Sequence, residues 1–461
     1  MITPAALAVL ATAVGVEGPA NPRQSEPLHR ATDSGPVGML HPGRGAERGY
    51  SLEGEYGLYV GINGNSLDVR WITEAPRPGV LRVWADGELL ADVATQAGTA
   101  HAATVDLTRF GGDRVLLEYG RPGQLYQTAI RTVDPWNNPV EFPAPDELYV
   151  VGDLHGQLDR FTELLSGAGL IDENLSWAGG QATLALLGDM MDRGPDVTPL
   201  LWFLYRLEEE AEQAGGSVLP ILGNHELLVF ANDLRYVESR EILVSDIHGL
   251  GYAEMFEPRS TVLGRWIASL PPLVRVGDLL LAHGGAGPEH AAAGLVALRD
   301  SMAVFLREPL MRTWFDTDAF TAERALRGLD DAAILRRWRT MFGETSVFWT
   351  RELVTEWARR HETSAGGAVP TEASYGSAPL RGTLLGFGAE ALIVAHTPVE
   401  MPQIIHNGRV AALGLAHAAS AMLRLVPGER DQTGRAGWKA ELVRIGHPPR
   451  PIGILGAALP R

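Results

Sequence analysis

The sequence of 461 residues contains no cysteine. This absence excludes disulfide bonds, thiolate zinc sites, iron–sulfur clusters and a cysteine nucleophile. No stretch reaches the roughly 20 apolar residues that a membrane-spanning helix needs, so we expect no membrane span. Positive charge is scarce, because 39 Lys and Arg stand against 56 Asp and Glu and the formal net charge is -17. Binding to nucleic acid requires a basic surface that displaces counterions from phosphates, so we expect no nucleic-acid partner.

The N-terminal segment from Pro4 to Val16 is uncharged and mostly apolar. This pattern is typical of a secretory signal peptide, yet the first basic residue, Arg23, comes too late for the usual basic start. Residues 1–21 therefore form either a signal peptide or an N-terminal arm. We expect a periplasmic or secreted protein in the first case and a cytoplasmic protein in the second. The Pro- and Gly-containing residues 22–50 have no periodicity and indicate a linker.

Short segments between Tyr56 and Val133 alternate apolar and polar residues. Alternation with a period of two predicts strands that have one buried face. Asp86-Gly87 between two of these segments predicts a hairpin turn. Six or seven such strands predict a small all-β, sandwich-like domain over residues 51–135. The Pro-rich stretch from Trp136 to Pro145 then indicates a domain boundary.

From Glu147 onward the pattern changes to strand, loop and helix. Three continuous apolar runs predict strands that are covered on both faces, at Leu148–Val151, Thr183–Leu187 and Val218–Leu222. We therefore expect an α/β domain over residues 146–445, with a helix-rich insertion at about 291–370 and a C-terminal tail at 446–461.

The clearest helix pattern extends from Thr198 to Ala214, with leucines recurring on one side. Three consecutive acidic residues, Glu208–Glu210, lie near its end. Such a run is most simply the solvated face of a helix. Farther along the chain, Ala421–Val426 and Trp438–Ile445 have the pattern of two paired strands, which we expect to close the sheet as a hairpin.

Residues of metal-binding types follow the predicted strands. The ends carry Gly152-Asp153-Leu154-His155-Gly156, Gly188-Asp189-Met190-Met191-Asp192-Arg193-Gly194, Gly223-Asn224-His225-Glu226, His283-Gly284-Gly285 and His396-Thr397. Because ligands bind at the carboxyl ends of strands in such sheets, we expect these side chains to meet. Asp, Asn and His without thiolates suit divalent Mn, Fe or Zn, and spacing does not choose among them. Two such ions can hydrolyse phosphate esters, and Arg193 could bind two phosphate oxygens.

These motifs resemble the signature of the calcineurin-like metallophosphoesterases, in particular of the phosphoprotein phosphatase branch. The three motifs G-D-x-H-G, G-D-x-x-D-R-G and G-N-H-E are intact and are followed by two separate histidines. The resemblance covers about residues 147–426 and implies a four-layer αββα sandwich with two divalent metal ions. It implies Asp153 and His155 as ligands of the first ion, Asp189 as the bridging carboxylate, and Asn224, His283 and His396 as ligands of the second.

The resemblance also implies catalytic roles. His225, held by Asp192, would be the general acid that protonates the leaving alkoxide, while a metal-bridging hydroxide attacks phosphorus in line. Arg193 and Asn224 would bind the phosphate. In one respect the sequence departs from the family pattern, because the stretch Ala412–Ala416 lacks the usual Asp-x-Gly segment. The predicted ligands are therefore present, but the carboxylate that usually supports them in this segment is not.

A further candidate is Arg351. The pattern Trp349-Thr350-Arg351 resembles a Trp-x-Arg element of the Shewanella-like subgroup, which makes Arg351 a candidate second phosphate clamp. Arg351 could equally be a solvated helix residue or a partner of Glu352 or Glu356, since ion pairs of that kind are common on surfaces.

We therefore predict a dinuclear metal-dependent phosphatase that hydrolyses phosphomonoesters. The favoured substrate is a phosphoprotein carrying phospho-Ser/Thr or phospho-Tyr, or a small phosphomonoester. Two alternatives remain: a symmetrical dinucleoside tetraphosphate hydrolase, which shares much of the motif set, and a catalytically degenerate module that binds a partner through its β domain. The sequence predicts neither the metal identity nor the oligomeric state.

Overall fold

The computed structural model describes residues 57–132, 138–307, 342–363, 378–428 and 437–456. The predicted signal peptide or arm at 1–21 and the linker at 22–50 lie outside the described residues, so export stays a prediction. Much of the predicted helical insertion, at 308–341 and 364–370, also lies outside them. No helix within the described ranges is both long and apolar enough to cross a membrane.

The N-terminal part of the chain is an all-β domain. Among the described residues it has seven strands: β1 (Tyr59–Asn63), β2 (Ser66–Arg77), β3 (Val80–Ala85), β4 (Glu88–Ala94), β5 (Gly98–Asp106), β6 (Arg114–Arg121) and β7 (Gln124–Arg131). They form two antiparallel sheets, with the orders β1-β2-β5 and β4-β3-β6-β7. Strand β3 buries alternate residues, as the period-two pattern requires. The predicted sandwich-like domain is confirmed.

The predicted hairpin turn joins β3 to β4. Ala85 pairs with Glu88 across it, and Asp86 and Gly87 have φ angles of 50° and 81°. Two consecutive residues with positive φ give a turn whose twist matches that of the flanking strands. The Asp-Gly pair therefore fixes the register of this hairpin.

The remaining strands in the described ranges form two six-stranded sheets. They are β8 (Glu141–Phe142), β9 (Leu148–Val151), β10 (Thr183–Leu186), β11 (Ser217–Pro220), β12 (Leu273–Val276), β13 (Leu279–Ala282), β14 (Ala391–Val394), β15 (Gln403–Ile405), β16 (Val410–Ala412), β17 (Ala421–Pro427), β18 (Trp438–Arg444) and β19 (His447–Leu455). One sheet has the order β11-β10-β9-β17-β18-β19, and the other has the order β15-β16-β14-β13-β12-β8.

Helices connect and flank these strands. Those in the described residues are α1 (Leu158–Gly167), α2 (Val197–Gln213), α3 (Asn224–Phe230), α4 (Ser239–His248), α5 (Val262–Ser269), α6 (Pro288–Ala293), α7 (Leu295–Leu306), α8 (Glu352–Thr363) and α9 (Ala378–Phe387), with a 3-10 helix at Tyr252–Phe256. Helix α2 contains the clearest helical pattern of the sequence.

The two sheets stack face to face because their strands are apolar on both sides. All four residues of β9 are buried. Leu148 and Val150 pack in a core cluster that includes Leu281 of the other sheet. Tyr149 and Val151 belong instead to the cluster that contains α1. Successive side chains of a strand point to opposite faces, so β9 contributes to both the sheet–sheet and the helix–sheet core. The predicted αββα layering is confirmed.

The predicted domain boundaries need two corrections. The residues after 446 are not a tail, because β19 pairs with β18 at the edge of the first sheet. Its three prolines argue against a strand in sequence, but an edge strand tolerates proline because one side of it makes no ladder hydrogen bonds. Strand β8 pairs with β12, so the second sheet begins before residue 146. The predicted closing hairpin is confirmed by the pairing of β17 with β18.

The prediction that Glu208–Glu210 of α2 form a solvated face is wrong, because all three side chains are partly buried and form ion pairs. Glu208 accepts a hydrogen bond from Trp266 Nε1 at 2.8 Å and pairs with Arg131 at 3.4 Å. Glu209 forms an ion pair with Arg114. Both arginines belong to the β domain, so Glu208 and Glu209 link the two domains, whereas Glu210 pairs with Arg206 of the same helix.

Candidate active site

Five strands deliver polar side chains to one edge of the stacked sheets. Asp153, Asp189 and Asn224 follow β9, β10 and β11 of one sheet, while His283 and His396 follow β13 and β14 of the other. Nε2 of His283 lies 2.9 Å from Asn224 Oδ1 and 3.3 Å from Asp189 Oδ1. The main-chain amide of His396 donates to Asp153 Oδ1 at 3.2 Å. The sequence-predicted ligands therefore do meet.

The carboxylate of Asp189 lies between two groups of histidines. Its Oδ2 is 3.7 Å from His155 Nε2 and 3.9 Å from His225 Nε2. Two groups of side chains could each hold a metal ion: His155, Asp189 and His225 in one, and Asp189, His283 and His396 in the other. Asp189 belongs to both groups, which is the place that the sequence analysis predicts for a bridging carboxylate.

The placement of Asp153 and His225 differs in part from the predicted ligand sets. Asp153 Oδ1 lies 3.8 Å from His283 Nδ1, which puts Asp153 beside the second group. His225, predicted as the general acid, is close enough to His155 and Asp189 to belong to the first group. The ligand assignment at these two residues stays a prediction.

Main-chain carbonyls orient two of the imidazoles. Nδ1 of His155 lies 2.9 Å from the carbonyl oxygen of Met191, and Nδ1 of His283 lies 2.6 Å from that of Leu187. A carbonyl oxygen only accepts, so Nδ1 carries the proton and donates it in both cases. Their Nε2 atoms are left to face the site. Metal-binding histidines are typically held in this way.

Burial and neighbouring carboxylates shift the pKa values of the proposed metal ligands. Burial, reinforced by the neighbouring Asp189 carboxylate, raises the pKa of Asp153. Burial opposes a charge on His283, yet Asp189 and Asp153 raise its pKa to about 9. Burial lowers the pKa of His396 to about 3 and that of His155 to about 4, which keeps both imidazoles neutral. The neutral imidazoles of His155 and His396 and the buried carboxylates are donors that divalent Mn, Fe or Zn binds. At His283 the ion would displace a proton, because metal binding requires the neutral imidazole.

His225, Asp192 and Arg193 form a connected group beside Asp189. Nδ1 of His225 lies 2.7 Å from Asp192 Oδ2, and Asp192 has no exposed surface. The two terminal nitrogens of Arg193 lie 2.7 Å from Nε2 of His155 and 3.0 Å from Nε2 of His225. Burial opposes a charge on His225, but Asp189 and Asp192 raise its pKa. A carboxylate that orients an imidazole in this way supports a general acid.

Several site residues adopt a left-handed backbone. The φ angle is positive at His155, Asp189, Asp192, Arg193 and His396, with values between 45° and 67°. Non-glycine residues rarely adopt this region, and clusters of such residues occur at functional sites. The two loops that carry Asp189 and Asn224 also approach closely, since a Cβ at Gly223 would lie 2.3 Å from Asp189 N. Glycine is required at that crossing.

Glu226, which was not among the predicted site residues, holds these loops together. Its Oε1 accepts from the amides of Met190 at 2.8 Å and Met191 at 3.1 Å, and its Oε2 accepts from those of Asp189 at 3.0 Å and Gly223 at 2.7 Å. Glu226 has no exposed surface. One signal could have indicated it, because a Glu three residues after the residue that caps a helix often bonds back to that cap.

Arg351 borders the site at His396, whereas Arg193 borders it at His155 and His225. Nε of Arg351 donates to Nε2 of His396 at 3.1 Å, and its side chain is exposed. The adjoining helix α8 is tied to the second sheet, because Nε2 of His406 lies 2.8 Å from the carbonyl oxygen of Leu353. Of the alternatives for Arg351, the geometry favours a place in the site.

The stretch that departs from the family pattern, Ala412–Ala416, packs beside Asp153 and His396. A Cβ at Gly414 would lie 2.5 Å from Thr397 O, and a Cβ at Gly152 would lie 2.2 Å from Leu413 O. The main chain of this stretch therefore fills the space next to the site. Support for Asp153 comes from the His396 amide.

Residues 147–367 match the family model of the calcineurin-like phosphoesterases. We call this matched region the phosphoesterase domain. The chain is 30% identical to Shewanella-like protein phosphatase 2 of Arabidopsis thaliana, over 35% of this chain and 52% of that one. It is 31% identical to a symmetrical bis(5'-nucleosyl)-tetraphosphatase of Acidovorax sp., over 35% of this chain and 51% of that one. It spans about half of the length of these two relatives.

Most of the chain shares its fold with a solved structure. The crystal structure of a cold-active protein-tyrosine phosphatase from a psychrophilic Shewanella species superposes with a TM-score of 0.58 at 20% sequence identity. The superposition covers 86% of this chain and 98% of that one. That is a larger share of the chain than the family model matches, so the likeness in fold extends beyond the phosphoesterase domain.

Proposed function

We propose that this protein is a metal-dependent phosphomonoesterase and, within that class, a phosphoprotein phosphatase of the Shewanella-like kind. The observation that carries the proposal is the position of Asp189 in both groups of possible metal ligands. A pair of ions needs one common carboxylate and otherwise separate ligands. When bound, two divalent ions would activate water and polarise phosphoryl oxygens. The donor set suits Mn, Fe or Zn.

The proposed ligands are those that the family resemblance implies. Asp153 and His155 would hold the first ion, Asp189 both ions, and Asn224, His283 and His396 the second. His155 and His283 face the site through Nε2 because main-chain carbonyls accept from their Nδ1 atoms. The two carboxylates would offset the charge of the ions.

Two arginines and an asparagine would bind the phosphate. Arg193 is exposed and directs both terminal nitrogens to His155 and His225, so its planar fork could bind two phosphate oxygens at the edge of the site. Arg351 borders the site at His396. Asn224 lies beside His283, and its side-chain NH2 group would contribute a further donor.

His225 would act as the general acid. In the overall reaction a water oxygen bonds to phosphorus, the ester P–O bond breaks, and the leaving oxygen takes the proton from Nε2 of His225. Asp192 accepts from Nδ1 of the same ring at 2.7 Å and would stabilise the charged imidazole before the transfer. The water then supplies the proton that restores His225.

A substrate panel tests the proposal. The purified protein, supplemented with Mn, Fe or Zn, is assayed on a phosphotyrosine peptide, a phosphoserine peptide, an aryl phosphate and diadenosine tetraphosphate. We expect hydrolysis of the monoesters with about two equivalents of bound metal. Less than about one equivalent of metal, together with no hydrolysis, would instead indicate the degenerate binding module.

A second candidate is a symmetrical dinucleoside tetraphosphate hydrolase. The similarity to the Acidovorax tetraphosphatase favours it. The same panel separates the two activities, because turnover of diadenosine tetraphosphate without turnover of any monoester would exclude the phosphatase.

A further inference from the structure

Tyr236 is an aromatic residue beside the candidate active site that none of the three motifs includes. It is 40% exposed. Its ring centroid lies 5.2 Å from that of His225, with the two rings inclined at 65°. The carbonyl oxygen of Tyr236 accepts from the main-chain amide of Arg193 at 2.8 Å. Tyr236 is therefore fixed next to both the proposed general acid and a proposed phosphate ligand.

Two cations hold the ring of Tyr236 in place. The guanidinium carbon of Arg193 lies 5.8 Å from the ring centroid, and that of Arg235 lies 5.6 Å from it. Arg235 is itself bonded to Asp233, with its Nε 2.7 Å from Oδ1. Each cation over an aromatic face is attracted by the electrons of the ring. The exposed part of the ring is thus presented to solvent in a defined orientation.

We propose that Tyr236 contacts the group that departs with the ester oxygen and so determines leaving-group specificity. This inference rests on the proposed function. His225 must reach the leaving oxygen to protonate it, so the group attached to that oxygen lies beside the His225 ring and therefore beside Tyr236. An aromatic leaving group gains ring–ring contact there. An aliphatic leaving group, such as a serine side chain, gains much less.

Substitution of Tyr236 tests this role on two peptides of the same sequence, one with phosphotyrosine and one with phosphoserine. The measured quantity is kcat/KM of each variant relative to the wild type on the same peptide, which cancels the different intrinsic reactivities of the two esters. We expect Tyr236→Ala to lower kcat/KM about three- to tenfold more on the phosphotyrosine peptide. Tyr236→Phe retains the ring and should keep the wild-type ratio.

Leu243→Ala is the matched control, because Leu243 is also an exposed apolar residue, at 52%, and lies on α4. This variant should have the wild-type kcat/KM on both peptides. If Tyr236→Ala lowers kcat/KM equally on the two peptides, Tyr236 merely supports Arg193 and His225. If kcat/KM falls on neither peptide, Tyr236 does not contact the leaving group. Either result overturns the inference. A wild-type protein that hydrolyses neither peptide would instead overturn the proposed function itself.

Discussion

Asp192 lies 2.7 Å from Nδ1 of His225 and is completely buried. Its carboxylate supports a positive charge on the imidazole, and an amide of the same shape does not. We expect Asp192→Asn to lower kcat roughly 10²-fold, the smaller end of the range for general acid catalysis. Metal content, measured by elemental analysis, should stay that of the wild type.

A matched control is Asp196→Asn. Asp196 is a neighbouring, partly buried aspartate that pairs with Arg240 at 3.2 Å instead of with a histidine. This variant should retain kcat. A loss of metal in Asp192→Asn would contradict the assigned role, because it would show that Asp192 supports a ligand rather than an acid.

Asp189 and His225 should differ in what their removal does to metal binding. Asp189 belongs to both possible metal groups and His225 to one of them. We expect Asp189→Asn to abolish turnover and to lose metal, because the amide removes the shared negative charge. His225→Ala should abolish turnover with metal retained. The measurement is metal stoichiometry after dialysis, and equal losses in the two variants would show that His225 is a ligand.

Glu226 should control metal affinity without contacting a metal. It accepts hydrogen bonds from four main-chain amides around Asp189 and Gly223. In the variant Glu226→Gln, the side-chain amide nitrogen would face two of these donors and leave them without an acceptor. We expect metal affinity, measured by titration calorimetry, to fall about 10- to 100-fold, as with other groups that orient ligands.

The control for Glu226 is Glu241→Gln. Glu241 is also fully buried, but it accepts from the main-chain nitrogen and hydroxyl of Thr198 at 3.1 and 2.6 Å, near the start of α2. Its substitution should leave metal affinity unchanged. Equal losses of affinity in both variants would attribute the effect of Glu226 to general destabilisation.

Glu241 should also make the stability depend on pH. Burial raises its pKa from 4.5 to about 7 in the folded protein. The neutral form is favoured in the fold, so its contribution is fully present below about pH 4.5 and is lost as the pH rises through 7. The loss amounts to about 3 kcal/mol. The free energy of unfolding is measured with urea for the wild type and Glu241→Gln at pH 4.5 and 8. From the lower to the higher pH, the variant should gain this amount of stability relative to the wild type. If the free energies of unfolding of the variant and the wild type differed equally at both pH values, the raised pKa of Glu241 would be contradicted.

The sequence predicted those site residues that directly follow an apolar strand. Asp153, Asp189, Asn224, His283 and His396 were predictable as a group, because apolar strands covered on both faces end at a common edge. Glu226 was harder to interpret, since its position after the helix cap indicates only the bond to Gly223. Its bonds to the amides of the Asp189 loop leave no residue pattern. Tyr236 was missed because its loop has no motif, and its contact with His225 exists only after folding.

Sequence alone determined the layered α/β domain, the sandwich-like β domain and the chemistry of the site. Periodicity, turn residues and residue types are local, and each is encoded in a few adjacent positions. Tertiary structure decided that Asp189 lies in both possible metal groups, that Asp153 lies beside His283, and that Glu208 and Glu209 join the two domains. These relationships depend on the angles and distances at which separate strands and helices pack, which no short segment of the chain specifies.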